Sequence, residues 1–457
     1  MASHFFNFKF HRHNKINLAN VDKERYKYGN LLIFACFFIY TISMAAKGIY
    51  AAQTKFIVDL WKLDYATASL ANTYYFVTYG LVQVGLFFLM NKISMRKYIL
   101  WTVPFAGVAI ALIGMATNIS QIWIYFGISG AFQAGIFAGC TLMLTRYLPV
   151  KQLSKANMIM NMGYAIGTVL AYLLSALFIG FGGESWRIPY YIIGALTILS
   201  VLTFGVIVYS ARRFTRINNI LDKKILKELE SGKTNAIDDN DPLITLKSKK
   251  KTVVFYIVDL IMTFLITAVY YCVMNYITSL LVDVHGLSQD ISIYVSTIAP
   301  IAITIGPVLI IRSCDHHKDF VKQSTIYMGI LIPLVLIITL FYEVNMWLFL
   351  VLAVAFVVIA NAVKSAIISI MAYKLRNVVN SGSYSAITNA VASVSAGVTP
   401  TIMGVILGDP SVGANWNAFF WVTTALVVFV FVALVVIDII VRKDYRKEHH
   451  MTAEDKI

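Results

Sequence analysis

Twelve stretches of this chain stay apolar for about twenty residues or more: 31–53, 66–90, 97–117, 121–145, 155–181, 188–209, 253–281, 288–311, 321–342, 346–373, 383–407 and 416–441. At a helical rise of about 1.5 Å per residue, each is long enough to cross a hydrocarbon layer of about 30 Å. Lipid offers backbone groups no hydrogen bonds, so a spanning segment is a helix or a strand of a closed barrel. None of the twelve alternates in polarity as barrel strands do. Composition agrees: 59% of residues are hydrophobic and 13% charged, with a mean hydropathy of +0.73, too little polar surface to cover a soluble protein. The fold class expected is all-α integral membrane, with twelve transmembrane helices.

An even number of crossings puts both termini on one side, and basic residues indicate which, because lysine and arginine near span ends are retained in the cytosol. With residue 1 inside, the cytosolic segments hold 33 of the 38 lysines and arginines, and the outer loops hold Lys55, Lys62 and Arg187. The expectation is a multi-pass protein of a plasma membrane or bacterial inner membrane, both termini cytoplasmic. The net charge of +15 then reflects topology and anionic lipid, and no nucleic-acid partner is expected. Cys36, Cys140 and Cys272 fall within spans and Cys314 in a loop, without the spacing of a disulfide framework or zinc site. The first thirty residues contain no apolar core of their own, so span one is expected to serve as an uncleaved insertion signal.

A charged stretch divides the spans six and six. The organisation expected is a basic tail (1–30), a six-helix bundle (31–209), a cytosolic linker (210–252), a second six-helix bundle (253–441) and a tail (442–457). Within the linker, INNILDKKILKEL reads as a short surface helix. The halves repeat weakly: the basic loop after span two, at Asn91, is answered by the loop after span eight, at Asp315. Paired glycines, Gly130 with Gly135, Gly163 with Gly167, and Gly404 with Gly408, are expected to let helices approach closely. Pro300, Gly306, Pro307 and Pro400 mark expected bends.

Two six-helix halves, a basic central loop and short basic loops after spans two and eight resemble the major facilitator superfamily. AKGIYAAQTKFIVDLW, TYGLVQVGLFFLMNKISMRKYIL, GAFQAGIFAG and GSYSAITNAVASVSAGVTP resemble the organophosphate:phosphate antiporter family most. The resemblance implies two pseudo-symmetric bundles around a central cavity lined by spans one, four, seven and ten. It also implies a latch between the halves at the span-two loop, here Asn91 and Arg96, and at Asp315. The family's signature is eroded here, since Asn91 stands where an aspartate is expected. Its phosphate-reading arginine and lysine in span one correspond to Ala46 and Lys47, its span-seven arginine to Tyr270, and its span-five histidine to Tyr164. A tyrosine hydroxyl cannot supply arginine's charged planar fork, so the resemblance carries over the fold and not the phosphate ester.

Lys47 and Lys364 are the cations inside spans. An isolated ammonium at mid-bilayer costs at least about 2.5 kcal/mol, so each calls for water, a partner or an anion. Lys47 lies sixteen residues into its span, in the outer half, and Lys364 about nine residues from the inner end, so both could snorkel to an interface. The resemblance places them on opposite walls of one cavity, one from each half, where they would bind an organic anion. Tyr79, Tyr164 and Tyr270 fall at positions that would line the same cavity, with Gln133, Asn275 and Asn389 as further substrate-binding candidates that can equally serve as interhelical glue. Asp259, in span seven, could carry a coupling proton or pair with a cytosolic base.

Nucleotide-binding, metalloprotease and hydrolase motifs are missing, so the expectation is not an enzyme, with no cofactor and no metal. The function expected is secondary transport of a small organic anion, phosphate ester or carboxylate, by alternating access, with a counter-ion or proton as a further partner and a monomer as the unit. The alternatives are a neutral or zwitterionic substrate, or a non-transporting sensor on the same fold.

Overall fold

A computed structural model describes residues 21–89, 93–148, 150–210, 249–317, 320–370, 381–411 and 413–454. The first half comprises helices Val21–Trp61, Tyr65–Leu89, Met95–Ile113, Ile119–Gln133 with Gly135–Tyr147, Val150–Gly180 and Ile188–Ser210. In the second half they are Lys249–Met274 with Ile277–Asp283, then Gln289–Ser296, Ile298–Ala302 and Ile305–His317 in series, then Phe320–Phe341, Met346–Ser365, Ser381–Leu407 and Trp416–Glu454. These are numbered spans one to twelve below. The face where span one begins is the terminal face, and the opposite one the far face.

Among the described residues, eleven helices are both long and apolar enough to cross a membrane. The twelfth, span two, has the length at 25 residues, but Asn72, Thr73, Tyr74, Tyr75, Thr78 and Gln83 dilute its hydropathy. That polarity has a structural use, because span two packs on span four of its own half as well as on the other half. Thr78 Oγ1 donates to Gly127 O at 2.7 Å in span four, and Gln83 Nε2 donates to Ala134 O at 3.2 Å. Such bonds satisfy side chains that lipid would leave unpaired.

The halves meet where span two packs on span eleven and span five on span eight. Spans two and eleven run antiparallel in steps of seven residues. Gly80 meets the backbone of Ala390, Thr73 Oγ1 donates to Gly397 O at 2.8 Å, and Gly404 lies against Ala66. A Cβ at Gly404 would stand 2.8 Å from Ala66 N and 2.9 Å from the Tyr65 carbonyl, a gap that only a shift of whole helices can open. Gly404→Val is therefore expected to destabilise the protein by about 1–3 kcal/mol, the range for overpacking. Gly85→Val, where nothing lies within 4 Å, should stay within about 0.5 kcal/mol of the parent. Thermal unfolding of the two purified variants in parallel makes the comparison.

Several expectations are corrected. Span one continues to Trp61, not 53, so Lys55 sits inside the helix, 7% exposed, while Lys47, about 21 Å from the far end of this 41-residue helix, stays in the half nearer the far face. Gly130, Gly135, Gly163 and Gly167 do admit close neighbours, but Gly408 has none: its φ of +75° ends span eleven in the left-handed region that glycine tolerates. Pro300, Gly306 and Pro307 fall where span eight breaks into three helices, whereas Pro400 lies inside the unbroken Ser381–Leu407. The linker helix around 217–229 and Asn91 lie outside the described residues, as does the Asp315 side chain; Arg96 is half-buried at the start of span three.

Candidate functional site

Spans one, two, five, seven and ten bring two ammonium groups and a set of aromatic rings together midway through the bundle. Lys47 Nζ lies 4.3 Å from the Phe76 ring centroid and 5.6 Å from that of Tyr79, both on span two. Lys364 Nζ stands over Tyr270 at 3.9 Å, with Tyr271 at 5.4 Å and Tyr164 at 5.5 Å. The two groups are linked ring to ring, since Phe76 and Tyr271 meet edge to face at 5.8 Å. Each lysine therefore points into the bundle and is half-buried there; neither reaches for an interface. Among the described residues neither has an ion-pair partner.

The rings hold this geometry through their own contacts. Tyr164 OH and Tyr270 OH are 3.3 Å apart, linking span five of one half to span seven of the other. Tyr270 and Tyr271 pack edge to face at 4.9 Å, and Tyr75 stacks on Tyr79 at 6.0 Å. A ring face attracts an ammonium by about 0.5–2 kcal/mol. That is well short of the hydration an ammonium gives up on burial, so the rings alone leave each charge undercompensated, a deficit that an anion beside it would offset.

The amide candidates divide. Gln133 is fully buried and closed into span packing: Ser43 Oγ donates to its Oε1 at 2.6 Å, Tyr75 OH at 3.4 Å, and its Nε2 donates to Ser129 Oγ at 2.7 Å. Its amide serves as glue, as that reading of the sequence allowed. Asn275 sits where span seven breaks, and its Nδ2 is buried without a partner among the described residues. Asn389 is half-buried on span eleven, one turn before Ser393, which donates to its carbonyl at 2.7 Å. Asp259 is 5% exposed; Tyr384 OH of span eleven donates to its Oδ2, and among the described residues no lysine, arginine or histidine pairs with it.

A second polar group closes the far face and was missed in the sequence. Lys55 Nζ contacts Asp59 Oδ1 at 2.8 Å in its own helix and Asp283 Oδ1 at 2.9 Å across the halves. Tyr65 OH of span two donates to Asp283 Oδ2 at 2.6 Å, and Gln289 Nε2 of span eight to Asp59 Oδ2 at 2.6 Å. Beneath it, Tyr276 OH donates to Pro400 O at 2.5 Å and lies 3.0 Å from Ser69 Oγ, within a packed group that includes Tyr65, Trp416 and Phe419. The spacing of Lys55 and Asp59 was visible as an i,i+4 pair, but no local signal announces Asp283 as the third member.

The sequence profile of the Major Facilitator Superfamily matches residues 31–400. A probable hexose phosphate transport protein of Chlamydia pneumoniae is 24% identical over 186 residues, 40% of this chain and 40% of that protein, so the match spans less than half of either. A bacterial homolog of the human lysosomal transporter Spinster, in an inward-facing and occupied conformation, superposes with a TM-score of 0.63 at 16% identity, over 89% of this chain and 96% of that one. A point mutant of the nucleoside transporter NupG does so at 0.62 and 13%, over 89% and 99%. At such identities these likenesses speak to the fold, and the profile match, covering most of the chain, speaks to descent: the chain belongs to the Major Facilitator Superfamily, whose members are membrane transporters.

Proposed function

We propose that this protein is a secondary transporter that carries a small organic anion, a phosphate ester or a carboxylate, by alternating access, with both termini in the cytosol. The observation that carries the proposal is the pair Lys47 and Lys364, one from each half, set against one aromatic chamber without ion-pair partners among the described residues. Closing two ammoniums into a low dielectric is unfavourable when the chamber is empty, and an anion between them removes that cost. The guest's charge thus licenses closure, which is the condition for strict exchange or coupling. The name of the Chlamydia relative, a hexose phosphate carrier, fits this charge class. Lysine in place of arginine presents point charges without a bidentate fork, so the site selects charge more than phosphate geometry.

The test is a thermal-shift panel on the purified protein, across hexose phosphates, glycerol phosphate, dicarboxylates, nucleosides and amino acids, followed by counterflow in proteoliposomes. A ligand at a hundred times its Kd stabilises the folded state by about 2.7 kcal/mol. A phosphate ester or carboxylate is expected to raise Tm and to exchange label. Exchange of a nucleoside or zwitterionic amino acid, insensitive to competing anions, overturns the anion reading; tight binding without exchange overturns transport itself.

A further inference from the structure

Span seven carries a second polar feature that the anion site does not use. Asp259, Thr263 and Thr267 are spaced by four residues, so they share one face of the unbroken helix Lys249–Met274 and lead, over about 12 Å, toward Tyr270 and Tyr271. All three are sealed from solvent: Asp259 is 5% exposed, Thr263 and Thr267 1% each. Intramembrane threonines of this chain commonly return their hydroxyl to the carbonyl four residues earlier, as Thr54, Thr168, Thr339 and Thr423 do at 2.8–2.9 Å. Thr263 and Thr267 do not; both hydroxyls are buried without a partner among the described residues. Buried hydroxyls in native proteins are satisfied by protein or by ordered water, and these two lack a protein partner among the described residues.

The carboxylate at its terminal-face end has one hydrogen-bond donor and no basic partner among the described residues. Spans ten, eleven and twelve pack against span seven. Of their described titratable groups, Tyr384 of span eleven reaches Asp259 with its hydroxyl, and the Tyr256 ring of span seven lies 5.5 Å from that of Tyr384. The ammonium of Lys364 stands at the other end of the file, over Tyr270. A buried carboxylate with a single donor is costly to keep charged, and a cation that neutralises it removes that cost. A metal cation would gather several oxygens around itself, but among the described groups the Tyr384 hydroxyl is the one that reaches the carboxylate.

We propose that Asp259 is a proton-binding site, joined by the Thr263 and Thr267 file to the anion chamber at Tyr270 and Tyr271, so that proton uptake and anion uptake are coupled through span seven. The proposal rests on the transport reading above. One O–H bond forms on the Asp259 carboxyl, the Tyr384 hydroxyl keeps its own proton, and the same bond breaks when the site is exposed to the other side. Anion and proton then neutralise opposite charges on one helix before the halves move.

The test requires no transport, so its failure is distinct from failure of the counterflow experiment. Infrared difference spectra are recorded on the full chain in lipid nanodiscs between acid and neutral pH, with proton as the probe and sodium as the competing cation. The wild type is expected to show a protonated-carboxyl band characteristic of apolar surroundings. That band should vanish in Asp259→Asn and shift in Tyr384→Phe, which removes the hydrogen-bond donor while keeping the ring. Potentiometric titration over the same range should count one bound proton fewer in Asp259→Asn. Wild-type and Tyr384→Phe spectra that superpose overturn the proposal, as does a band that sodium abolishes at constant pH.

Discussion

Methionine at Lys364 is expected to weaken anion binding at least about thirtyfold while leaving a protein at least as stable when empty. The side chain would be one heavy atom shorter but still reach Tyr270, because methionine's thioether packs well against ring edges and Lys364 Nζ now stands 3.9 Å from that ring's centroid. What disappears is a charge that no described residue compensates. Losing a buried, charge-assisted contact to an anion costs about 2–5 kcal/mol, from about thirtyfold to several thousandfold in affinity. The empty protein, relieved of an unpaired ammonium, should show a Tm equal to the parent's or higher. Lys47→Met should do the same from the other half, since its ammonium is held over Phe76 and Tyr79 in the same way. The readouts are the Tm of the empty protein and the shift produced by the panel's best anion. Both variants retaining the parent's shift would remove the anion chamber from the account, whereas a fall in empty Tm would make the lysines structural.

The two lysines were legible because charge inside an apolar run stands out whatever the fold. Their convergence on one aromatic cluster was legible only through resemblance, because a helix apolar all round carries no signal of how it is rotated in a bundle. The same limit hid Phe76 and Tyr271. Tyr271 adjoins Tyr270 and Phe76 lies three residues from Tyr79, both of which the sequence did single out, and a rotation of about 100° per residue decides which side chains face the site. Gln133 shows the converse: an intramembrane amide announces that it needs partners, and Ser43, Ser129 and Tyr75 supply them all from within the first half. Span two was read as apolar like the other eleven, and its polar residues proved to serve its packing on span four and, across the halves, on span eleven. Partners far apart in sequence, Tyr384 for Asp259 and Asp283 for Lys55, follow from packing that no local pattern encodes.

Asp283→Asn is expected to loosen the far face and shift the protein toward a state open on that side. The ion pair it removes is not a surface one: the side chains of Lys55 and Asp283 are 8% and 13% exposed, so the pair is screened little and is worth more than the usual exposed bridge. Asp283 is also the acceptor for Tyr65, so one carboxylate ties span seven to spans one and two together. The asparagine keeps the shape and loses the charge, while Lys55 retains Asp59 in its own helix, so the fold of each half is spared. Ser69 gives the readout, being 1% exposed and 3.0 Å from the Tyr276 hydroxyl below the latch. In a background free of native cysteines, a maleimide should label Ser69→Cys at least about tenfold faster with Asp283→Asn than without it, a shift of about 1.4 kcal/mol in the opening equilibrium. Gln289→Ala, which removes a more exposed bond to Asp59, should accelerate labelling less. Equal rates with and without Asp283→Asn would mean that the aromatic packing of Tyr65, Tyr276, Trp416 and Phe419 closes this face by itself, and that the charges merely decorate a seal made of rings.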